Sequence, residues 1–169
     1  FYGKLNLLKT GIVFADGLTT VSQRYAQEIQ SDPLGSGLEG VLQQRREVLS
    51  GNVNGVDYSV WNPATDGHLA ARYDATSWRA GKAACKAALQ QDLGLPISSQ
   101  TPLIALIGRL ADQKGWDLVA EVMRRWVNEM DVQWAILGTG EPPYHELLGE
   151  LSRHHPHKVA ARLEFSDPL

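Results

Sequence analysis

The chain has 169 residues, enough to bury the core of one ordinary domain. Hydrophobic residues make up 43% and charged residues 21%, which excludes a disordered segment, and a formal net charge of −3 offers no basic footprint for nucleic acid. The single cysteine, Cys85, rules out an internal disulfide framework and makes a reducing compartment the default expectation. No apolar run reaches membrane-spanning length, so no membrane partner is expected, and no secretory signal is read at the start. Phe1 and the closing Asp167-Pro168-Leu169 read as cut ends, so an internal piece of a longer protein is expected.

In chain order, Leu5, Leu8 and Ile12 form a helical stripe in the first segment. Gly17 to Val21 is short and β-rich, a buried strand. Ser22 caps a helix running to Ile29, and Ser31 to Gly37 is a loop. A short helix over 38–46 precedes a strand from Val48-Leu49 to Val53. Asn54-Gly55 and Asn62-Pro63 bracket a turn-rich region. Residues 80–93 form a helix closed by Gly94, with Pro96 beyond. From there the order is regular. The fully apolar run Leu103–Ile107 reads as a buried strand, 116–128 as a helix, 132–137 as a strand and 142–154 as a helix with prolines in its first turn. A last strand begins at Lys158-Val159. Apolar strands alternating with helices imply a parallel, doubly wound α/β sheet. Leu103, Ile104, Leu106, Val119, Val122, Trp134 and Ile136 are its expected core.

The stretch Gly108-Arg109-Leu110-Ala111-Asp112-Gln113-Lys114-Gly115 lies between the strand at 103–107 and the helix at 116–128. Ligands of open α/β sheets bind at this strand end. Two cations beside a helix amino terminus work against its dipole, at about 0.3–1 kcal/mol each, unless an anion is present. Asp117 offsets part of that cost and a diphosphate would offset more. Arg109 offers a planar fork of donors and Lys114 a mobile point charge. The plainer alternative is a solvated turn, disfavoured because both ends are anchored on strongly patterned elements.

Gly138-Thr139-Gly140 directly follows a strand, so Gly138 and Gly140 could let backbone approach a nucleotide; a tight β–α turn is an equal alternative. Gly35-Ser36-Gly37-Leu38-Glu39-Gly40 matches G-x-G-x-x-G in letters but follows a loop instead of a strand, so it is not read as a dinucleotide fingerprint. His154, His155 and His157 read as a solvated helix end and not as a metal site, because Pro156 interrupts them. There is no D-x-D pair, and no metal or cofactor is expected. Trp61, Trp78, Trp126 and Trp134 read as core or hinge packing, and Trp116 as packing the base of the cationic loop. Asn54 could address a sugar hydroxyl, or close an Asx-turn.

Four stretches in order resemble bacterial glycogen synthases and plant starch synthases. They are Leu8-Lys9-Thr10-Gly11-Ile12 through Glu28-Ile29, Gly37-Leu38-Glu39-Gly40-Val41-Leu42, Val53 to Asp57 with Trp61-Asn62-Pro63-Ala64-Thr65-Asp66, and Gly108-Arg109-Leu110 with Gln113-Lys114-Gly115. The resemblance covers nearly the whole chain. It implies a fragment of a two-domain GT-B glycosyltransferase with Rossmann-like parallel sheets and flanking helices. Residues 1–50 would end the amino-terminal, acceptor-side domain, and 51–169 would begin the nucleotide-sugar-binding domain. The implied reaction moves glucose from ADP-glucose to the non-reducing end of an α-1,4-glucan, with retention and without metal. Arg109 and Lys114 would hold the donor phosphates, with Asn54, Gly108, Gly138 and Gly140 around the donor. The expected location is the bacterial cytoplasm or a plant plastid. The family's K-x-G-G-L loop and its later glutamate motif are absent from the sequence, so the isolated chain is expected to be inactive. A non-catalytic nucleotide- or glucan-binding module, or a related UDP-sugar transferase, are the alternatives.

Overall fold

A computed structural model of the chain describes residues 3–166. Their backbone contacts divide into two units, one running to Tyr58 and one starting at Ser59.

In the first unit, helix α1 (Leu7–Phe14) begins where the Asn6 side chain accepts from the Lys9 N–H at 2.9 Å. Strand β1 (Leu18–Thr20) follows, then helix α2 (Gln23–Glu28), capped by Ser22 through a 2.9 Å bond from the Tyr25 N–H. Helix α3 (Glu39–Gln44) and a 3₁₀ turn over Arg46–Val48 lead into strand β2 (Leu49–Gly51). β1 and β2 pair in parallel, with Leu18 opposite Leu49. The core is small: Ile12, Ile29, Leu38 and Leu42, with Leu18, Val41 and Leu49 against it. Each fully buried aliphatic side chain contributes about 1.5–3 kcal/mol. The expected stripe at Leu5, Leu8 and Ile12 is buried only at Ile12, while Leu5 and Leu8 are exposed. Leu5 precedes the helix, and the small core reaches only the carboxyl-terminal half of α1.

The second unit opens with an irregular segment and helix α4 (Trp78–Asp92). A Schellman turn closes α4: Gly94 takes φ +69°, its N–H donates to Gln91 O at 3.1 Å, and the Leu95 N–H donates to Gln90 O at 2.8 Å. Strand β3 (Leu103–Ile107), helix α5 (Trp116–Glu129), strand β4 (Gln133–Leu137), helix α6 (Pro142–His154) and strand β5 (Val159–Arg162) follow as the alternation predicts. The three strands form one parallel sheet in the order β3-β4-β5, with Ile104 opposite Trp134 and Trp134 opposite Val159. α5 and α6 press Trp116, Met123, Val127, Leu147 and Leu148 onto β4, whose five residues are all buried.

Of the expected core, Trp134 and Ile136 are buried, Ile104, Leu106, Val119 and Val122 pack partly buried against them, and Leu103 is half-buried outside this cluster. β3 departs from the fully buried strand that its sequence suggests. It lies at the sheet edge, and Ile107 is 72% exposed. An apolar run is buried on both faces only where both are covered. Trp61 and Trp78 depart likewise, both being exposed. Trp78 stands at the start of α4 with the Arg79 guanidinium 5.3 Å from its ring centre, while Trp126 packs 6.3 Å from the buried Trp134 ring.

Candidate functional site

Because β3, β4 and β5 are parallel, the loops that follow β3 and β4 emerge at the same edge of the sheet. Backbone bonds join them. The Gly108 N–H donates to Leu137 O at 3.1 Å, Leu110 N–H to Thr139 O at 3.0 Å, and Glu141 N–H to Leu110 O at 2.8 Å. Leu110 is wholly buried and anchors the loop in the core. Beyond it, Asp112–Lys114 form a 3₁₀ turn, and Gly115, at φ +76°, launches α5. The next residue, Trp116, is buried with its ring 5.9 Å from that of Tyr144, so it packs the base of the loop as its position suggests.

Arg109 and Lys114 are both exposed on this loop. Arg109 Nη2 donates to Gln113 Oε1 at 2.9 Å, committing one of the five guanidinium N–H groups. Acidic groups balance the two cations. Asp112 lies between them in sequence, Asp117 occupies the first turn of α5 and Glu141 stands at the residue before α6, without a side-chain bond to the helix. The Tyr144 hydroxyl donates to the Asp112 carboxylate. That bond, followed by burial and the nearby carboxylates, pushes the phenol up to about 12, so Tyr144 remains a neutral donor.

Gly138 and Gly140 are required by the approach of the two loops. A Cβ on Gly138 would lie 2.0 Å from Gly108 O, and one on Gly140 would lie 2.3 Å from Leu110 O. Their amides are committed within the protein: Gly138 N–H donates to Arg162 O at 3.0 Å and Gly140 N–H to His145 Nε2 at 3.0 Å. Pro142 and Pro143 open α6 without N–H groups. Outward-facing cationic donors therefore come from the β3 loop, at Arg109 and Lys114. Gly108, at φ +144°, is exposed beside them.

The structure thus gathers Gly108, Arg109, Lys114, Gly138 and Gly140 at one sheet edge. Asn54 belongs to the first unit, exposed beyond β2. Tyr144, His145 and Asp112 escaped the sequence reading. The signal was the Pro142-Pro143 pair: it fixes where α6 starts, and helical side chains lean toward the amino terminus, here back onto the loops. Among the described residues no group of three or more His, Cys, Asp or Glu could hold a metal ion.

The sequence profile of the starch synthase catalytic domain matches residues 1–44. The whole chain is 46% identical to a glycogen synthase of Rhodopirellula baltica and 48% identical to one of an Anaeromyxobacter species, covering 34% and 35% of their lengths. It also superposes on the catalytic domain of starch synthase IV from Arabidopsis thaliana, solved with ADP and acarbose. The TM-score is 0.86 at 34% identity, over 97% of this chain and 34% of that one. The chain thus spans about a third of the length of the relatives it matches.

Proposed function

We propose that this chain, which belongs to the family of bacterial glycogen synthases and plant starch synthases, supplies the donor-phosphate side of a glucan-elongating glucosyltransferase. The observation that carries the reading is the pair Arg109 and Lys114, exposed on a braced loop at the carboxyl edge of a parallel sheet. The donor is ADP-glucose, and the acceptor is the non-reducing end of an α-1,4-glucan. The ADP bound to the Arabidopsis relative supports a nucleoside diphosphate leaving group, and its acarbose supports a glucan acceptor.

The chemistry asked of this loop is electrostatic. As the bond between glucose C1 and the diphosphate oxygen breaks, negative charge grows on the phosphate. The Arg109 fork and the Lys114 ammonium face that charge from a loop already in place, so little reorganisation is needed. Transfer is retaining and uses no metal. Asn54 would address the donor sugar. Residues 1–50 would belong to the acceptor-side domain and 51–169 to the nucleotide-sugar domain, and the division of backbone contacts after Tyr58 supports two domains.

Incorporation of labelled glucose from ADP-glucose into glycogen by the full-length protein tests this. Arg109→Ala and Lys114→Ala should each lower kcat by about 10²–10³. Arg109→Lys should not restore it, because it lacks the fork. Near-normal turnover in either alanine variant, or preference for UDP-glucose, would overturn the loop's role or the donor. The isolated 169 residues should give no transfer, and detectable incorporation by them would remove the need for the rest of the protein.

A further inference from the structure

We propose that the first turn of α6 braces the cationic loop, and that Tyr144 and His145 are positioning residues for nucleoside-diphosphate binding. The inference rests on the reading of Arg109 and Lys114 as donor-phosphate ligands. Two adjacent side chains on one turn reach two different loops. Tyr144 donates to Asp112, inside the 3₁₀ turn that carries Lys114. His145 Nε2 accepts from the Gly140 N–H, and Gly140 pairs with Leu110, the residue after Arg109. The brace therefore reaches the loop from both sides, one contact near each cation.

The base of the brace is rigid. Pro142 and Pro143 fix φ at the start of α6, so the turn presents residues 144 and 145 in one register. The Tyr144 ring is held against the buried Trp116 ring at 5.9 Å. A loop bearing two cations and opening on a glycine at φ +144° has many conformations to choose from without such ties. Electrostatic stabilisation is worth most when its donors need not move during the reaction. Neither Tyr144 nor His145 needs to touch the ligand for this. Each acts through the backbone that carries Arg109 and Lys114. The tautomer of His145 follows from its bond: Nε2 is an acceptor, so the proton of the neutral ring sits on Nδ1.

The experiment is calorimetric titration of the full-length protein with ADP, together with thermal melting. Tyr144→Phe keeps the ring contact with Trp116 and removes only the hydroxyl. His145→Ala removes the acceptor, and His145→Gln replaces it with an amide oxygen. Tyr144→Phe and His145→Ala should each weaken ADP binding by about 3- to 15-fold, the scale of one lost hydrogen bond. His145→Gln should recover most of the affinity. The loss from Tyr144→Phe should shrink when Lys114 is already alanine, and the loss from His145→Ala when Arg109 is already alanine, because each pair then acts on one contact. If Arg109→Ala leaves ADP affinity unchanged, the donor-loop reading falls and the brace with it. If Arg109→Ala weakens ADP while Tyr144→Phe and His145→Ala do not, the brace alone is overturned. A lower melting temperature at unchanged affinity, or additive losses in both of these pairings, would likewise make the two side chains structural only.

Discussion

Gln90 and Gln133 share a buried hydrogen bond: the Gln90 side-chain amide on α4 donates to Gln133 Oε1 on β4 at 2.6 Å, and the two residues are only 1% and 3% exposed. Gln90 also accepts from the Ser98 N–H and donates to Ser98 O, both at 3.2 Å, while Gln133 donates to Pro96 O at 2.8 Å. Two glutamines thus hold the connection from α4 to β3 at the end of the sheet opposite the cationic loop.

Replacing Gln90 by Leu leaves Gln133 Oε1 buried without its donor. A loss of about 1–3 kcal/mol is expected in urea unfolding. The double variant with Gln133→Leu should lose less than the sum of the two single changes, because it leaves no orphaned glutamine amide on either side of the shared bond. Strict additivity would mean that the two side chains do not depend on one another.

Gly138→Ala tests the junction of the two loops. Its new Cβ would lie 2.0 Å from Gly108 O, which is backbone and cannot step aside cheaply. The variant should lose about 1–3 kcal/mol by overpacking and should also lose ADP affinity, since the displaced atom is next to Arg109. Gly149→Ala is the control. It lies inside α6 with nothing within 4 Å of the added carbon, and should be neutral or gain about 0.5–1 kcal/mol. Equal melting temperatures for Gly138→Ala and the parent would show that the loops can part without cost.

Asp74 gives a pH prediction. Its Oδ1 accepts from the Thr76 hydroxyl at 2.7 Å, the Ser77 hydroxyl at 2.8 Å and the N–H groups of both residues at 2.9 Å. These bonds, the Thr76 and Ser77 hydroxyls foremost, hold the carboxyl well below the ordinary carboxylate range. A carboxylate with a depressed folded-state value contributes its stability fully above its unfolded value, about 3.9, and loses it as the pH falls through the folded value. Asp74→Asn should therefore lower the melting temperature at pH 7, and the gap to the parent should narrow progressively as the pH falls below about 4. A gap that stays constant down to pH 2 would show that the charge contributes nothing there.

What the sequence makes legible is local. Gly94, Ser22 and Pro142-Pro143 mark helix ends because their backbone chemistry leaves few alternatives, and all three stand where they were expected. The loop from Gly108 to Gly115 is recognisable from residue types alone. Burial is less legible, because it belongs to neighbours: Leu103–Ile107 has the letters of a covered strand, yet Ile107 has no cover on its face of the edge strand. Side-chain reach is least legible. Nothing in Tyr144-His145 announces that adjacent residues meet Asp112 and Gly140, and the need for Gly138 and Gly140 arises from carbonyls thirty residues earlier in the chain.

Hydrogen exchange should rank the elements by these differences in cover. β4 is paired on both sides and all five of its residues are buried, so its amides open only with the whole second unit and should exchange slowest. β3 has a partner on one side only, and its burial alternates, so its amides facing away from β4 should exchange faster. β1 and β2 are three residues each, and the core over them has four buried residues. An isolated two-stranded pair is marginal, and its stability depends on that small core. Leu5, Leu7, Leu8 and Phe14 add nothing to it, being 65–84% exposed. In the 169-residue chain, residues 1–50 should therefore exchange much faster than residues 102–140. Equal and strong protection of the two segments would mean that the first unit gains its stability from contacts other than its own core.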